Sequence, residues 1–320
     1  MGGEMKSFLQ AFVIVIASLT YCYFISSKLP SGKIRLISVL PIFHLGPCIG
    51  WLASFKLLLF AFGKDETLSI NPSMPLSQFI VLTSLPFKIK QTKETTVLKT
   101  VSKLDPTVYV TYKDHVLFTY PIVCHILYSG RMIFGIQANF AIFAALATPF
   151  VGGKELKKQF NKPHLSTSLQ DFWGKRWNLM VSDLLKSTIH VPTKSLCTPI
   201  FGKRFALHAA ILATYTVSGL AHEVMHFNVG RWPTWEVFWF FVIHGVGLAL
   251  EIEGKKIASR KGWKLSPISS LPLTVGFVMV SGIWLCYAEL IHWGADIREI
   301  QEYTSFVAYV NHIVKSKIAV

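Results

Sequence analysis

The chain has 320 residues, of which 52% are hydrophobic and only 15% charged, and its mean hydropathy is +0.45. That composition excludes an ordinary soluble domain and points to a polytopic membrane protein. The net charge of +15 would suit a nucleic-acid partner only if it formed one basic face; it is broken instead into clusters between apolar stretches, so nucleic acid is not an expected partner.

Crossing a hydrocarbon core of about 30 Å takes roughly 20 apolar residues. Taken in chain order, the sequence predicts spans over 7–26, 36–62, 116–135, 137–151, 205–227, 235–250 and 271–293. The stretch 77–87 is too short for a normal crossing and reads as a re-entrant or strongly thinned span, and Pro47 is placed to break the second span into two half-helices. The expected fold class is all-α, a polytopic transmembrane helical bundle of about seven to nine spans. A single membrane-embedded domain covers 1–320, because the longest polar loop, 152–203, is too short to carry its own core. Lys28 follows the first span directly and no small-residue cleavage site is visible, so that span reads as a retained anchor. Cys22, Cys48, Cys124 and Cys286 sit in apolar spans and Cys197 near a span entrance; with no C-x-x-C pair among them, all five are expected to be reduced and structural.

The basic residues fall between the spans. Lys28, Lys33 and Arg35 form a first cluster; Lys88, Lys90, Lys93, Lys99 and Lys103 a second; Lys154, Lys157, Lys158, Lys162, Lys175 and Arg176 a third; Lys255, Lys256, Arg260, Lys261 and Lys264 a fourth. With 77–87 counted as a crossing, all four lie on one side, which the positive-inside rule assigns to the cytosol. Orientation and attraction to anionic membrane lipids account for most of these charges.

The third cluster runs into SLQDFWGKRWN, residues 168–178. Ser168 followed by Asp171 has capping-box spacing, so a helix is expected to start there. It would carry Trp173 and Trp177 on one face with Lys175 and Arg176 turned elsewhere, as an interfacial helix does. Such a helix can also form the mouth of an active site, its basic residues, together with Lys157 and Lys158, holding the phosphates of a soluble co-substrate.

In the next span, a helical period places Arg204, His208, Tyr215, Ser218, His222 and His226 along one slowly drifting polar stripe. Ionisable groups are costly in lipid, so this stripe must face protein or water. Within it, HEVMH matches H-E-x-x-H: His222 and His226 could hold zinc with Glu223 as general base. The third ligand would have to be Glu251 or Glu253, which lie at the cytosolic end of the next helix while His222 lies toward the other end of its own. A zinc intramembrane protease is therefore the alternative of another class.

SLQDFWGKRWN followed by SGLAHEVMHF resembles the membrane-bound O-acyltransferase superfamily, and within it the plant wax synthase branch, the long-chain-alcohol O-fatty-acyltransferases. The resemblance implies that an acyl-CoA is joined to a hydroxyl acceptor, with Asn178 and His222 in the two active-site positions. The family tends to read FWGRRWN, whereas Lys175 stands here in place of the first Arg and cannot make its planar bidentate contact.

The chemistry suits these residues. A histidine with a pKa near 6.5 can take the proton of an alcohol as it attacks the thioester, and the CoA thiol leaves readily as thiolate, so no metal or other cofactor is expected besides acyl-CoA as co-substrate. Asn178 would donate its amide N–H to the oxyanion or hold the acyl carbonyl in line. Trp173, Lys175, Arg176, Trp177, Lys157 and Lys158 are the expected acyl-CoA contacts, with Ser218, Glu223 and His226 supporting His222. The expected acceptor is a hydrophobic long-chain alcohol, giving wax esters, with a sterol or diacylglycerol as the alternative. By family and substrate, the protein belongs in the endoplasmic reticulum.

Overall fold

A computed structural model describes residues 2–43, 46–63, 74–88, 119–152, 156–228, 232–263, 266–287 and single positions between 294 and 305. Lys90, Lys93, Lys99, Lys103, Lys154 and Lys264 lie outside the described residues, as do 116–118 and 288–293 of two expected spans; nothing is described of the side chains of Pro47, Cys48 and Cys124. The chain divides into two compact units: Met1–Pro163 with Trp173–Pro192, and His164–Phe172 with Thr193–Val320.

Among the described residues every regular element is helical, as expected where lipid offers the backbone no hydrogen-bond partners. In the first unit, α1 is Gly2–Phe24. The expected second span is two helices, α2 (Lys33–Phe43) and α3 (Gly46–Ala61); Pro47 sits just inside the start of α3, a position that tolerates its missing N–H. The short stretch forms α4 (Leu76–Ser84), only nine residues, or about 13 Å at 1.5 Å per residue.

One expectation is overturned. Residues 116–135 and 137–151 are not two spans: Thr119–Ala147 is a continuous helix, α5, of 29 residues. Gly135 and Gln137 suggested a break, but a glycine inside a helix costs only about 1 kcal/mol. The stronger breakers, Pro121 and Pro149, fall in the first turn and just past the end. Merging the spans removes one crossing from the count that put all four basic clusters on one side. The second and third clusters nevertheless meet directly, because the Lys157 N–H donates to the Lys88 carbonyl at 2.8 Å.

The core of this unit gathers Leu19 and Cys22 of α1, Val39 and Ile42 of α2, Leu57 and Phe60 of α3, and Phe79 and Leu82 of α4, with Met180 and Leu184 from further along the chain. Two basic side chains are buried in it. Arg35, expected on the surface, donates to the carbonyls of Ser27 (3.2 Å), Leu29 (2.6 Å from Nη2) and Phe60 (3.1 Å), tying the turn after α1 to the end of α3. Lys56, 0% exposed, donates its ammonium to the carbonyls of Leu82 and Leu85 and, at 3.5 Å, Phe87, at the end of α4. The Leu82 carbonyl is one of the last four that a helix end leaves unpaired; Leu85 lies just past that end, and its carbonyl also accepts the Phe87 N–H at 2.8 Å.

Three further helices follow a short one, α6 (Leu179–Leu185). The first, α7 (Val191–Asn228), is interrupted at Gly202 (φ 77°, ψ 165°), just before the predicted start of its apolar part. Next, α8 (Glu236–Arg260) runs past its predicted end, the extension held by Lys255–Glu251 and Lys256–Glu253 pairs, each at 2.8 Å. Last, α9 (Pro267–Gly282) begins with Ser266 capping and proline at its first position. Among the described residues five helices are long and apolar enough to cross a membrane, with Leu52–Ala61 a shorter apolar one. The chain is an integral membrane protein.

In the second unit α7 and α8 pack antiparallel and close. A Cβ on Gly219 would lie 3.0 Å from the Phe238 carbonyl oxygen, and one on Gly245 2.9 Å from Tyr215 Cβ. The polar stripe predicted along α7 faces α8: Arg204 and His208 meet Glu253 at 2.6 and 2.9 Å, and the His222 ring lies against Phe241, centroids 4.3 Å apart.

Candidate active site

Ser168 caps the segment as its spacing predicts: its Oγ accepts the Asp171 N–H at 3.0 Å, and the Leu169 N–H is taken by Glu251 Oε2 at 2.6 Å. The regular helix that follows is only Leu169–Asp171. It widens into a π turn, Phe172–Arg176, so Trp173 and Trp177 do not share a face by α-helical spacing as expected. The chain then breaks at Asn178, whose φ of 41° and ψ of 64° put it in the left-handed region, where asparagine is among the few tolerated residues.

Asn178 is the cap of α6, and its Oδ1 accepts the Val181 N–H at a long 3.5 Å. Its amide NH2 group makes no hydrogen bond to another described residue. The turn is framed by residues 159–161. The Leu179 N–H donates to the Gln159 carbonyl at 2.9 Å, and the Asn161 N–H to the Arg176 carbonyl at 2.9 Å. The Met180 N–H donates to Gln159 Oε1 at 3.0 Å. Phe160 sets its ring edge-on to Trp177, centroids 5.1 Å apart.

The predicted phosphate-binding residues divide. Lys158 and Lys175 are exposed. Arg176 Nη1 reaches the carbonyls of Asn161 and Lys162 at 3.4 and 3.3 Å, which fixes the guanidinium beside the turn. Lys157 is paired with Asp183 of α6 at 2.9 Å, so part of its charge is already answered. Lys88 stands near both; burial is the main influence lowering its pKa, opposed by Asp183 and reinforced by Lys157.

His222 lies in the second unit, toward the far end of the apolar part of α7. Its Nδ1 is 2.7 Å from the carbonyl oxygen of Ser218. A carbonyl only accepts, so Nδ1 carries the hydrogen and, in the neutral ring, the lone pair is on Nε2. Ser218 therefore supports His222 through its backbone. Glu223 turns away to α8: its Oε1 accepts the Phe238 N–H at 3.0 Å, capping a helix whose own cap residue, Trp235, supplies no side-chain bond. Its Oε2 is buried without a partner among the described residues. His226, one turn on, is half-buried.

This arrangement does not make HEVMH a metal site. Among the described residues no three His, Cys, Asp or Glu side chains gather. The two candidates for a third ligand are used elsewhere, Glu251 by Leu169 and Lys255 and Glu253 by Arg204, His208 and Lys256. Local spacing could not reveal Gln159, Lys56 or the bond from Glu251 to Leu169, since each joins residues 21 or more positions apart.

Residues 156–243 match the membrane bound O-acyl transferase family, a stretch that holds the Asn178 turn and all of the HEVMH helix end. Over nearly the whole length the chain resembles three curated plant proteins. It is 38% identical to a long-chain-alcohol O-fatty-acyltransferase of Simmondsia chinensis, covering 96% of each chain. It is 35% identical to the probable long-chain-alcohol O-fatty-acyltransferase 8 of Arabidopsis thaliana, covering 98% of each. It is 34% identical to the acyl-CoA–sterol O-acyltransferase 1 of the same plant, covering 95% of this chain and 96% of that one.

Proposed function

This chain belongs to the membrane-bound O-acyltransferase family, and we propose that it transfers a fatty acyl group from acyl-CoA to the hydroxyl of a long-chain alcohol, giving a wax ester and free CoA. The observation that carries the reading is the bond from His222 Nδ1 to the Ser218 carbonyl, which leaves Nε2 as the basic nitrogen. As the alcohol oxygen bonds to the thioester carbonyl carbon, Nε2 takes its proton. When the tetrahedral intermediate collapses, the carbon–sulfur bond breaks, and the proton on His222 is available to the departing thiolate. Such base help is typically worth a factor of about 10² to 10⁴. The thiolate is a good leaving group, so the reaction calls for no metal and no cofactor besides the acyl-CoA co-substrate.

Asn178 is the proposed donor to the acyl carbonyl, supported by an NH2 group that makes no hydrogen bond to another described residue. Trp173, Lys175, Arg176, Trp177, Lys157 and Lys158 are the proposed acyl-CoA contacts, with Lys157 contributing least because Asp183 shares it. The endoplasmic reticulum is the proposed membrane, by family and by the hydrophobic substrate.

The similarity to a sterol acyltransferase supports a second acceptor class with the same chemistry. Microsomes carrying the protein, given labelled acyl-CoA and either a saturated fatty alcohol or a sterol, decide between them. Labelled wax ester in excess over steryl ester supports the first reading; steryl ester in excess replaces it with the second. Ester from neither acceptor sinks both.

A further inference from the structure

We propose that Gln159 is a positioning residue for Asn178: it shares the capping of α6, taking the first two N–H groups, and so holds the Asn178 amide where it is available to substrate. The inference rests on the role given to Asn178 above. An asparagine at a helix start ordinarily commits its side-chain oxygen to the second or third N–H of the helix. Here the first two are already taken, the Leu179 N–H by the Gln159 carbonyl at 2.9 Å and the Met180 N–H by Gln159 Oε1 at 3.0 Å. Asn178 keeps only the Val181 N–H, at 3.5 Å, the outer limit of a hydrogen bond.

Gln159 is well placed for this. It is 6% exposed, and its Nε2 donates to the Lys157 carbonyl at 2.9 Å, so both ends of the amide are used and its orientation is fixed. Two residues on, the Asn161 N–H holds the Arg176 carbonyl at 2.9 Å. The left-handed Asn178 is thus gripped on both sides by one short strap. A non-glycine residue keeps such a conformation only where its surroundings over-determine it.

Removing the Gln159 acceptor would orphan the Met180 N–H at a buried position. Asn178 Oδ1, which now accepts the Val181 N–H, is the cap oxygen of the same turn and would shift toward the Met180 N–H, the other N–H that a cap residue serves. The helix would survive, and the Asn178 NH2 would be carried away from its working position. The proposal therefore expects lost turnover with retained fold.

The test uses the full-length protein in microsomes, with activity normalised to accumulated protein. Gln159→Met keeps the length and removes the acceptor; kcat is expected to fall roughly ten- to a hundred-fold, less than the ~10² to 10³ for losing an oxyanion donor outright, with the KM for acyl-CoA nearly unchanged. Gln159→Glu keeps an oxygen for Met180 but gives up the donor to the Lys157 carbonyl, so it is expected to keep more activity than Gln159→Met and less than the wild type. In the Asn178→Ala background, Gln159→Met is expected to add no further loss, as for residues that act as one unit. Should Gln159→Met not accumulate, Gln159→Asn, which draws the acceptor back by one methylene, takes its place in the same comparison. Full kcat in the Gln159 variant beside an impaired Asn178→Ala overturns this proposal alone. A further loss in the double variant overturns it too, by making Gln159 act on its own account. An unimpaired Asn178→Ala overturns the role of Asn178 and this inference with it.

Discussion

The Asn178 turn and the His222 helix are held in opposite ways. His222 is fixed by its own helix: the carbonyl of Ser218, four residues earlier, orients the ring, and Phe241 of the adjacent helix covers it. Asn178 sits where regular structure fails, between a π turn and a short helix, and its backbone is completed by Gln159 and Asn161. A helix supplies its own hydrogen bonds, so a residue on it tolerates change nearby. An irregular turn borrows partners from elsewhere, and its geometry is only as good as those partners. The first region should therefore be sensitive at one side chain, the second at several.

The sharpest way to break this contrast is at His222. His222→Ala should abolish ester formation at normal membrane abundance, a loss of about 10² to 10⁴ if the ring is the base. His226→Ala should keep measurable activity, and a strong chelator should change nothing. Equal loss at both histidines with zinc in the purified protein would restore the metal reading of HEVMH. Asn178→Ala should lower kcat by about 10² to 10³, with acyl-CoA KM and accumulation close to wild type; failure to accumulate would mark it as a folding residue. Glu223 probes the self-sufficient helix from its neighbour's side. Losing a cap costs about 0.5 to 2 kcal/mol, so Glu223→Ala should lower the Tm in detergent, while Glu223→Gln, which keeps an oxygen for the Phe238 N–H, should not. An equal Tm drop in both would show that more than the cap was lost. The smallest effect is expected at Arg176: charge reversal to Glu should raise the KM for acyl-CoA several-fold and that for the alcohol less. Equal change in both constants would return this residue to its structural bonds with Asn161 and Lys162.

What could be read from the sequence follows the reach of each interaction. The Ser168 cap, the divided second span, the short α4 and the polar stripe on α7 were all legible, because they depend on neighbours within a turn or on hydrophobic run length. The fusion of two expected spans into α5 was missed because Gly135 and Gln137 look like punctuation yet are weak breakers. The regular helix expected after Ser168 was cut short because the π turn and the left-handed Asn178 answer to the strap at 159–161, and no local pattern announces a contact 21 residues away. Arg35 was counted as a surface charge, since a sequence does not reveal that a guanidinium will find carbonyls on two sides of one turn.

The ammonium of Lys56 has a consequence for how the first unit tolerates insertions and deletions. At the end of the short α4 it is a side chain of α3, Lys56, that donates to the carbonyls of Leu82 and Leu85. The stopping point of α4 is thus written into α3. One residue added to or taken from α3 between Ala53 and Lys56 would rotate the ammonium by about 100° relative to the packed residue before it and take it away from the Leu82 carbonyl. Inserting the same residue in the loop between α3 and α4 would leave that geometry alone. The spacing of α3 should therefore be the more rigid of the two, set by the Lys56 ammonium together with the core that α3 and α4 share.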